Sequence, residues 1–339
     1  MARSEGAQSH GRRPGLTPTA VAPGARFDYR FRPPDAGTFW YDAPRLAGVA
    51  QQHLYGALVV EETEPPDVDR EHVLVLDERP IPRRGEPQAS GGAAKLEVVA
   101  NGTLVPDLAV RATERLRLRL INAAVARVVA LRLERHVITV MALDGQPAEP
   151  FRARDNRIVL APGNTADLFI DATLEPGAVA AILLADADTP LARLVYDDSP
   201  AVRPTVRSSP GPLPANSLSQ RLDLTHAVRL DWPIDDRQSD SQALGRQPAA
   251  FRVKRGRTVM LGLTNRRAFV CAVHLHGHAF RLLDRLDDGW KPFWLATVLV
   301  DAGQTTRIAF QADNPGKWPI ICTGIGQPQP VTAGWFEVT

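Results

Sequence analysis

Phe269-Val270-Cys271-Ala272-Val273-His274-Leu275-His276-Gly277-His278-Ala279-Phe280 is the stretch around which the rest of the chain is organised. It holds three of the chain's eight histidines within five residues. Apolar and β-branched residues flank them, and Thr264-Asn265 breaks the pattern upstream, so the segment is predicted as a strand. Side chains alternate faces along a strand, which starts His274, His276 and His278 on one side. Imidazoles gathered this way can hold a transition metal. A solvated strand face that happens to be His-rich has the same spacing, and spacing alone does not separate the two.

Outward from this stretch the chain reads as all-β. Arg26-Phe27-Asp28-Tyr29-Arg30-Phe31 alternates polar and aromatic residues, as a half-buried strand does. Thr38-Phe39-Trp40-Tyr41 and Leu54 to Glu61 follow as further strand material. His72 to Leu76 is another strand. Arg115-Leu116-Arg117-Leu118-Arg119-Leu120 alternates strictly, Leu on one face and Arg on the other, and Asn122 closes it. Asp144-Gly145-Gln146-Pro147 and Leu160-Ala161-Pro162-Gly163 are turns. Short strands at regular spacing between turns predict antiparallel sandwiches or barrels. No stretch keeps a helical period over three turns.

The 339 residues exceed one small core and predict two or three domains. A net charge of +2 gives no case for nucleic acid or a membrane surface as partner. No apolar run approaches the length that spans a bilayer. Residues 1–18 are polar and predicted to be disordered, with no apolar segment of a signal peptide. Asp197 to Gln220 is rich in Pro and Ser and reads as a linker. Two cysteines do not make a disulfide framework, though they can make one bridge.

The His-rich stretch resembles the C-terminal copper motif of the multicopper oxidases, the laccase-like family: His-Pro-x-His-x-His-Gly-His-x-Phe. Cys271 stands at that motif's first His and Ala272 at its Pro. The resemblance extends in order through Gly37-Thr38-Phe39-Trp40-Tyr41, Leu54-Tyr55-Gly56, Arg119-Leu120-Ile121-Asn122-Ala123 and Leu143-Asp144-Gly145-Gln146-Pro147, covering roughly residues 15–339. It implies consecutive cupredoxin-like Greek-key β-sandwiches: an incomplete first one at 19–65, a second at 66–200, a linker at 201–220 and a third at 221–339. It also implies export to the periplasm, which the absence of a signal segment leaves unsupported, a cytoplasmic location being the other reading.

The family's cofactor is copper, held at a type 1 site (one Cys thiolate, two His, a weak axial ligand) and at a three-copper cluster held by His. Matched position by position, His274 and His276 stand at two cluster ligands, and His278 at a residue that is not usually a ligand. The His-Cys-His-x-x-x-His-x-x-x-x-Met motif falls on Ile321-Cys322-Thr323, Gln327 and Thr332, where only Cys322 remains. In the first domain Asp42-Ala43-Pro44 follows Tyr41 in place of two His, and only His10, in Ser9-His10-Gly11, resembles the earliest motif. His72, His136 and His226 fall at non-ligand positions, and His53, in the loop after Tyr41, reads as a surface residue.

The resemblance therefore implies a family member with partial or absent copper and a binding or scaffold role or no activity. The sequence names no partner, and a protein partner is one reading left open. The opposing reading is a copper-dependent oxidoreductase that oxidises phenols or metal ions and reduces oxygen. His274 and His276, with His10 as a third donor, also suit a residual single-metal site. Because the family's residues at 271 and 322 ligate one copper, the resemblance further implies that Cys271 and Cys322 share a pocket. There they form either a disulfide or two buried thiols. A disulfide would close a loop of about 50 residues, worth on the order of 3–4 kcal/mol by loop entropy. A dithiol redox protein is a further reading, with no Cys-x-x-Cys to support it.

Overall fold

Leu-, Val- and Ile-rich runs closed by Gly, Asn and Asp turns fold as strands throughout. The computed structural model describes residues 16, 21–22, 24–42, 54–80, 96–219, 221–235, 244–283, 290–327 and 330–339. Strands β1 (Gly37–Asp42) and β2 (Tyr55–Val60) pair antiparallel as a two-stranded sheet. Then come β3 (Arg70–Pro80), β4 (Leu96–Ala100), β5 (Asp107–Val110), β6 (Arg115–Asn122), β7 (Val129–Leu133), β8 (Thr139–Leu143), β9 (Gln146–Arg152), β10 (Arg157–Leu160), β11 (Thr165–Asp171), β12 (Val179–Leu184) and β13 (Thr189–Tyr196). They form a six-stranded sheet, β4-β3-β6-β11-β8-β9, and a five-stranded one, β10-β7-β12-β13-β5.

The C-terminal third repeats the plan. It contains β14 (Val228–Ile234), β15 (Phe251–Val253), β16 (Thr258–Asn265), β17 (Cys271–Leu275), β18 (Phe280–Leu283), β19 (Trp290–Leu295), β20 (Thr297–Val300), β21 (Thr305–Gln311), β22 (Gly316–Gly324) and β23 (Pro330–Val338). The two sheets are β14-β16-β21-β18-β19 and β15-β23-β22-β17-β20. Their inner faces share one apolar core that includes Leu261, Leu263, Ile308 and Phe310 from the first and Val273, Leu275, Ile320 and Phe336 from the second. Parallel pairings of β3 with β6 and of β14 with β16 sit among antiparallel ones, in both sandwiches alike. The all-β expectation is met.

The chain divides into two compact units, one of residues 1–65, 142–149 and 213–339, the other of 66–141 and 150–212. In the first unit, buried Asp35 accepts from Gln146 Nε2 at 3.0 Å and from the Ser217 backbone N–H at 3.0 Å. Asn216 Nδ2 donates to the carbonyls of Ala36 and Gly145. Gly145 allows Phe39 to approach: a Cβ on it would run into the Phe39 ring. In the second unit Arg203 and Arg207 both hold Asp69, and the Ser208 carbonyl accepts from Arg115 at 2.6 Å. The Pro/Ser-rich stretch is thus fastened along much of its length.

One sequence expectation is corrected. Arg26–Phe31 belongs to no strand; Phe27 is edge-on to Tyr29 at 4.9 Å, and Tyr29 is 52% exposed. Alternation gives a strand only where a neighbour supplies ladder hydrogen bonds. The Arg face of β6 is buried like its Leu face: Arg115, Arg117 and Arg119 are at most 1% exposed. Asp171, Asp167 and Glu71 neutralise them. No helix among the described residues is long and apolar enough to cross a membrane.

Candidate functional site

Strand β17 carries two sets of candidate residues on its two faces. Cys271, Val273 and Leu275 point into the sandwich core, and Ala272 and His274 point the other way. Two neighbours hold the strand: β22, with Cys271 opposite Gly324, Val273 opposite Cys322 and His274 opposite Ile321, and β20, with His274 opposite Thr297.

This register brings Cys271 and Cys322 together as diagonal neighbours on the core face. Both are free thiols with no exposed surface. The Cys271 thiol donates to Asn265 Oδ1 at 3.6 Å. A hydrogen bond between the two thiols, then burial in the apolar core, pushes Cys322 far above the ordinary thiol range. The same bond lowers Cys271, against burial and with help from the Arg267 guanidinium. Asn265 is itself fixed, donating to the carbonyls of Phe269 and Val300 at 2.8 and 2.9 Å and accepting from the Arg267 N–H at 2.9 Å. Gln327 caps a turn through its backbone, and Thr332 donates to the Asp235 carbonyl at 3.0 Å.

His274 and His276 meet on the other face, their rings 4.5 Å apart and edge-on at 84°. Thr297 Oγ1 lies 2.7 Å from His274 Nδ1 and fixes that ring. Thr297 is held in turn by Asp144 Oδ2, which accepts from the backbone N–H of Ala296 at 2.7 Å and of Thr297 at 3.3 Å. Asp144 can do this from a left-handed hairpin corner, φ 49°, followed by Gly145 at φ 74°.

His278 leaves the group. The strand ends at Leu275, and Gly277 turns the chain at φ +72° with its α-carbon against the Trp318 ring, so a Cβ there would run into the indole. Asn314 Nδ2 donates to the Gly277 carbonyl at 3.1 Å, and Trp318 Nε1 donates to the Asn314 carbonyl at 2.8 Å. His278 therefore packs among Phe310, Phe336 and Trp318, with ring centroids 5.2 to 5.7 Å away. The expectation of three histidines on one strand face is corrected: His274 alone lies in β17, His276 stays beside it just past the strand end, and His278 departs.

Ile321, directly across from His274, is 8% exposed and packs with Leu244, Ala333 and Leu16. Thr323 lies across from Ala272. Among the described residues no group of three or more His, Cys, Asp or Glu is placed to hold a metal ion. His72 bonds the Ala109 carbonyl, His136 bonds Tyr196 and the Glu134 carbonyl, and His226 pairs with Asp223. His10, His53 and the Ala43-Pro44 positions lie outside the described residues. The supports Asn265, Thr297, Asp144 and Asn314 were missed in the sequence. Asn265 had a signal, since Asn122 ends β6 in the same way, donating to the carbonyls of Arg127 and Leu160.

Sequence profiles described as multicopper oxidase match residues 3–65, 66–182 and 214–323. Multicopper oxidase MmcO of Mycobacterium tuberculosis is 26% identical over 361 residues, spanning 89% of this chain and 69% of that protein. Copper resistance protein A of Pseudomonas syringae is 28% identical over 48% of this chain and 35% of its own length. Lac15 from a marine microbial metagenome superposes with a TM-score of 0.77 at 30% identity, over 96% of this chain and 81% of that one. A multi-copper oxidase from Pseudomonas thermotolerans gives 0.81 at 28%, over 96% and 82%.

Proposed function

This chain belongs to the multicopper oxidase family, and we propose that within it the protein keeps the cupredoxin scaffold with depleted copper sites and serves as a binding or scaffold protein without oxidase activity. The observation that carries this reading is the cross-strand neighbour of His274. A metal held by His274 and His276 needs further donors from the facing strand, and β22 offers Ile321 inside an apolar cluster. A hydrocarbon side chain cannot ligate.

The core face does not fit copper of the family kind either. A blue-copper site takes two imidazoles and one thiolate, and the side chains gathered here are two thiols. His274 and His276 alone give at most adventitious binding of copper or zinc. Cys271 and Cys322 are assigned to a structural role in place of the type 1 copper. Under oxidising conditions, exchange with an external disulfide would bridge them, two thiols yielding two electrons and two protons to that disulfide. Export, implied by the family, would supply such conditions. Turnover as a redox catalyst is disfavoured, because both sulfurs are buried and Cys322 resists ionisation.

The test is elemental analysis of purified, copper-reconstituted protein with a visible absorption scan. We expect less than about one copper per chain and no thiolate-to-copper band. A near-full copper complement with that band would replace this reading with a copper-dependent oxidoreductase acting on phenols or metal ions. Non-reducing peptide mapping of the air-oxidised protein should join the peptides of Cys271 and Cys322. Two free thiols there would remove the bridge and leave the scaffold reading standing.

A further inference from the structure

A cleft of about 440 Å³ lies within the second unit, and neither copper nor the thiols account for it. Its lining includes four arginines, Arg115, Arg135, Arg152 and Arg207, against the one carboxylate of Asp171. Two of the four are already neutralised. Arg115 grips both oxygens of Asp171 at 2.6 and 3.1 Å, and Arg207 pairs with Asp69 at 2.8 Å and with Asp67. Arg135 and Arg152 form no ion pair with a described residue. Both are exposed and line the same cleft.

Apolar surface lines the cleft beside them. Val137 is 48%, Phe151 38% and Val206 37% exposed, and all three face the cleft. Concave apolar walls with a few charged groups are how proteins hold small organic ligands. Uncompensated guanidiniums select for anions, which they can bind in bidentate fashion. A purely hydrophobic ligand would leave Arg135 and Arg152 idle, and an inorganic anion would leave the Val137, Phe151 and Val206 wall in water.

We propose that this cleft is a binding site for a small organic anion with an aromatic body, a carboxylate or sulfonate. Its acid group sits between Arg135 and Arg152 and its ring lies against Phe151 and the two valines. The site is independent of copper.

The probe is 8-anilinonaphthalene-1-sulfonate, an aromatic sulfonate whose fluorescence rises on binding. Wild-type protein should bind about one molecule per chain saturably. Arg135→Glu and Arg152→Glu should each weaken binding by about tenfold or more, as expected for loss of one charge contact and gain of a repulsion. Arg229→Glu, on an exposed residue of the other unit, changes net charge equally and should leave affinity unchanged. The uncharged analogue N-phenyl-1-naphthylamine should bind at least about tenfold more weakly than the sulfonate. Equal affinity of the two dyes, or variants at 135 and 152 that bind like wild type with unaltered circular dichroism, would overturn the proposal. So would an equal loss on Arg229→Glu.

Discussion

Gly277 decides where the histidines go. Its φ of +72° suits glycine, and the Trp318 ring occupies the space a side chain would need. Gly303 offers a control, with φ +69° and no atom near its would-be Cβ. Gly303→Ala should cost about 1 kcal/mol, the strain of a left-handed residue. Gly277→Ala adds a steric clash in a packed layer and should cost about 3 kcal/mol or more. Urea unfolding monitored by tryptophan fluorescence compares the two; equal costs would show that the indole yields easily. The sharp turn at Gly277 sends His278 into the aromatic core, while His276, before the turn, stays beside His274.

At the scale of the element, β6 separates what the sequence makes legible from what it hides. The period of two and the closing Asn were readable because both are local. Burial of the Arg face was not, because the acids that allow it lie far along the chain: Glu71, Asp167 and Asp171 stand 48 to 56 residues from their partners. The same holds at β17. The residue types there pointed to a metal, whereas the register that sets Ile321 against His274 belongs to a strand from elsewhere in the chain. Asp167, 1% exposed, accepts from Arg117 at 2.5 Å and from Arg119 at 3.2 Å. Asp167→Asn leaves buried guanidinium charge without its carboxylate and should cost about 3–5 kcal/mol. The exposed pair of Arg193 with Asp107 is the contrast, and Asp107→Asn should cost about 0.5 kcal/mol or less. Denaturant midpoints of the two variants decide whether β6 depends on that network.

For the whole molecule, acid should weaken the fold in two windows of the same sign. His136 is buried, and burial lowers its folded pKa below the ordinary 6.5. The unfolded chain therefore takes up that proton first, and stability falls as pH drops below 6.5. Asp69 is held well below the usual carboxylate value of 3.8, first by the Arg203 hydrogen bond and also by those of Arg207 and the Arg115 N–H. Its contribution is complete above that value and is lost as pH falls beneath it. Thermal melting from pH 7.5 to 2.5 should show both declines, and Asp69→Asn should flatten only the lower one. The three buried guanidiniums of β6 also bear on how the chain reaches this state. Sliding β6 by one residue against its neighbours would trade its faces and drive Arg115, Arg117 and Arg119 into the apolar layer now filled by Leu116, Leu118 and Leu120. Misaligned pairings thus carry a cost that the native one avoids, and β6 specifies its own registration.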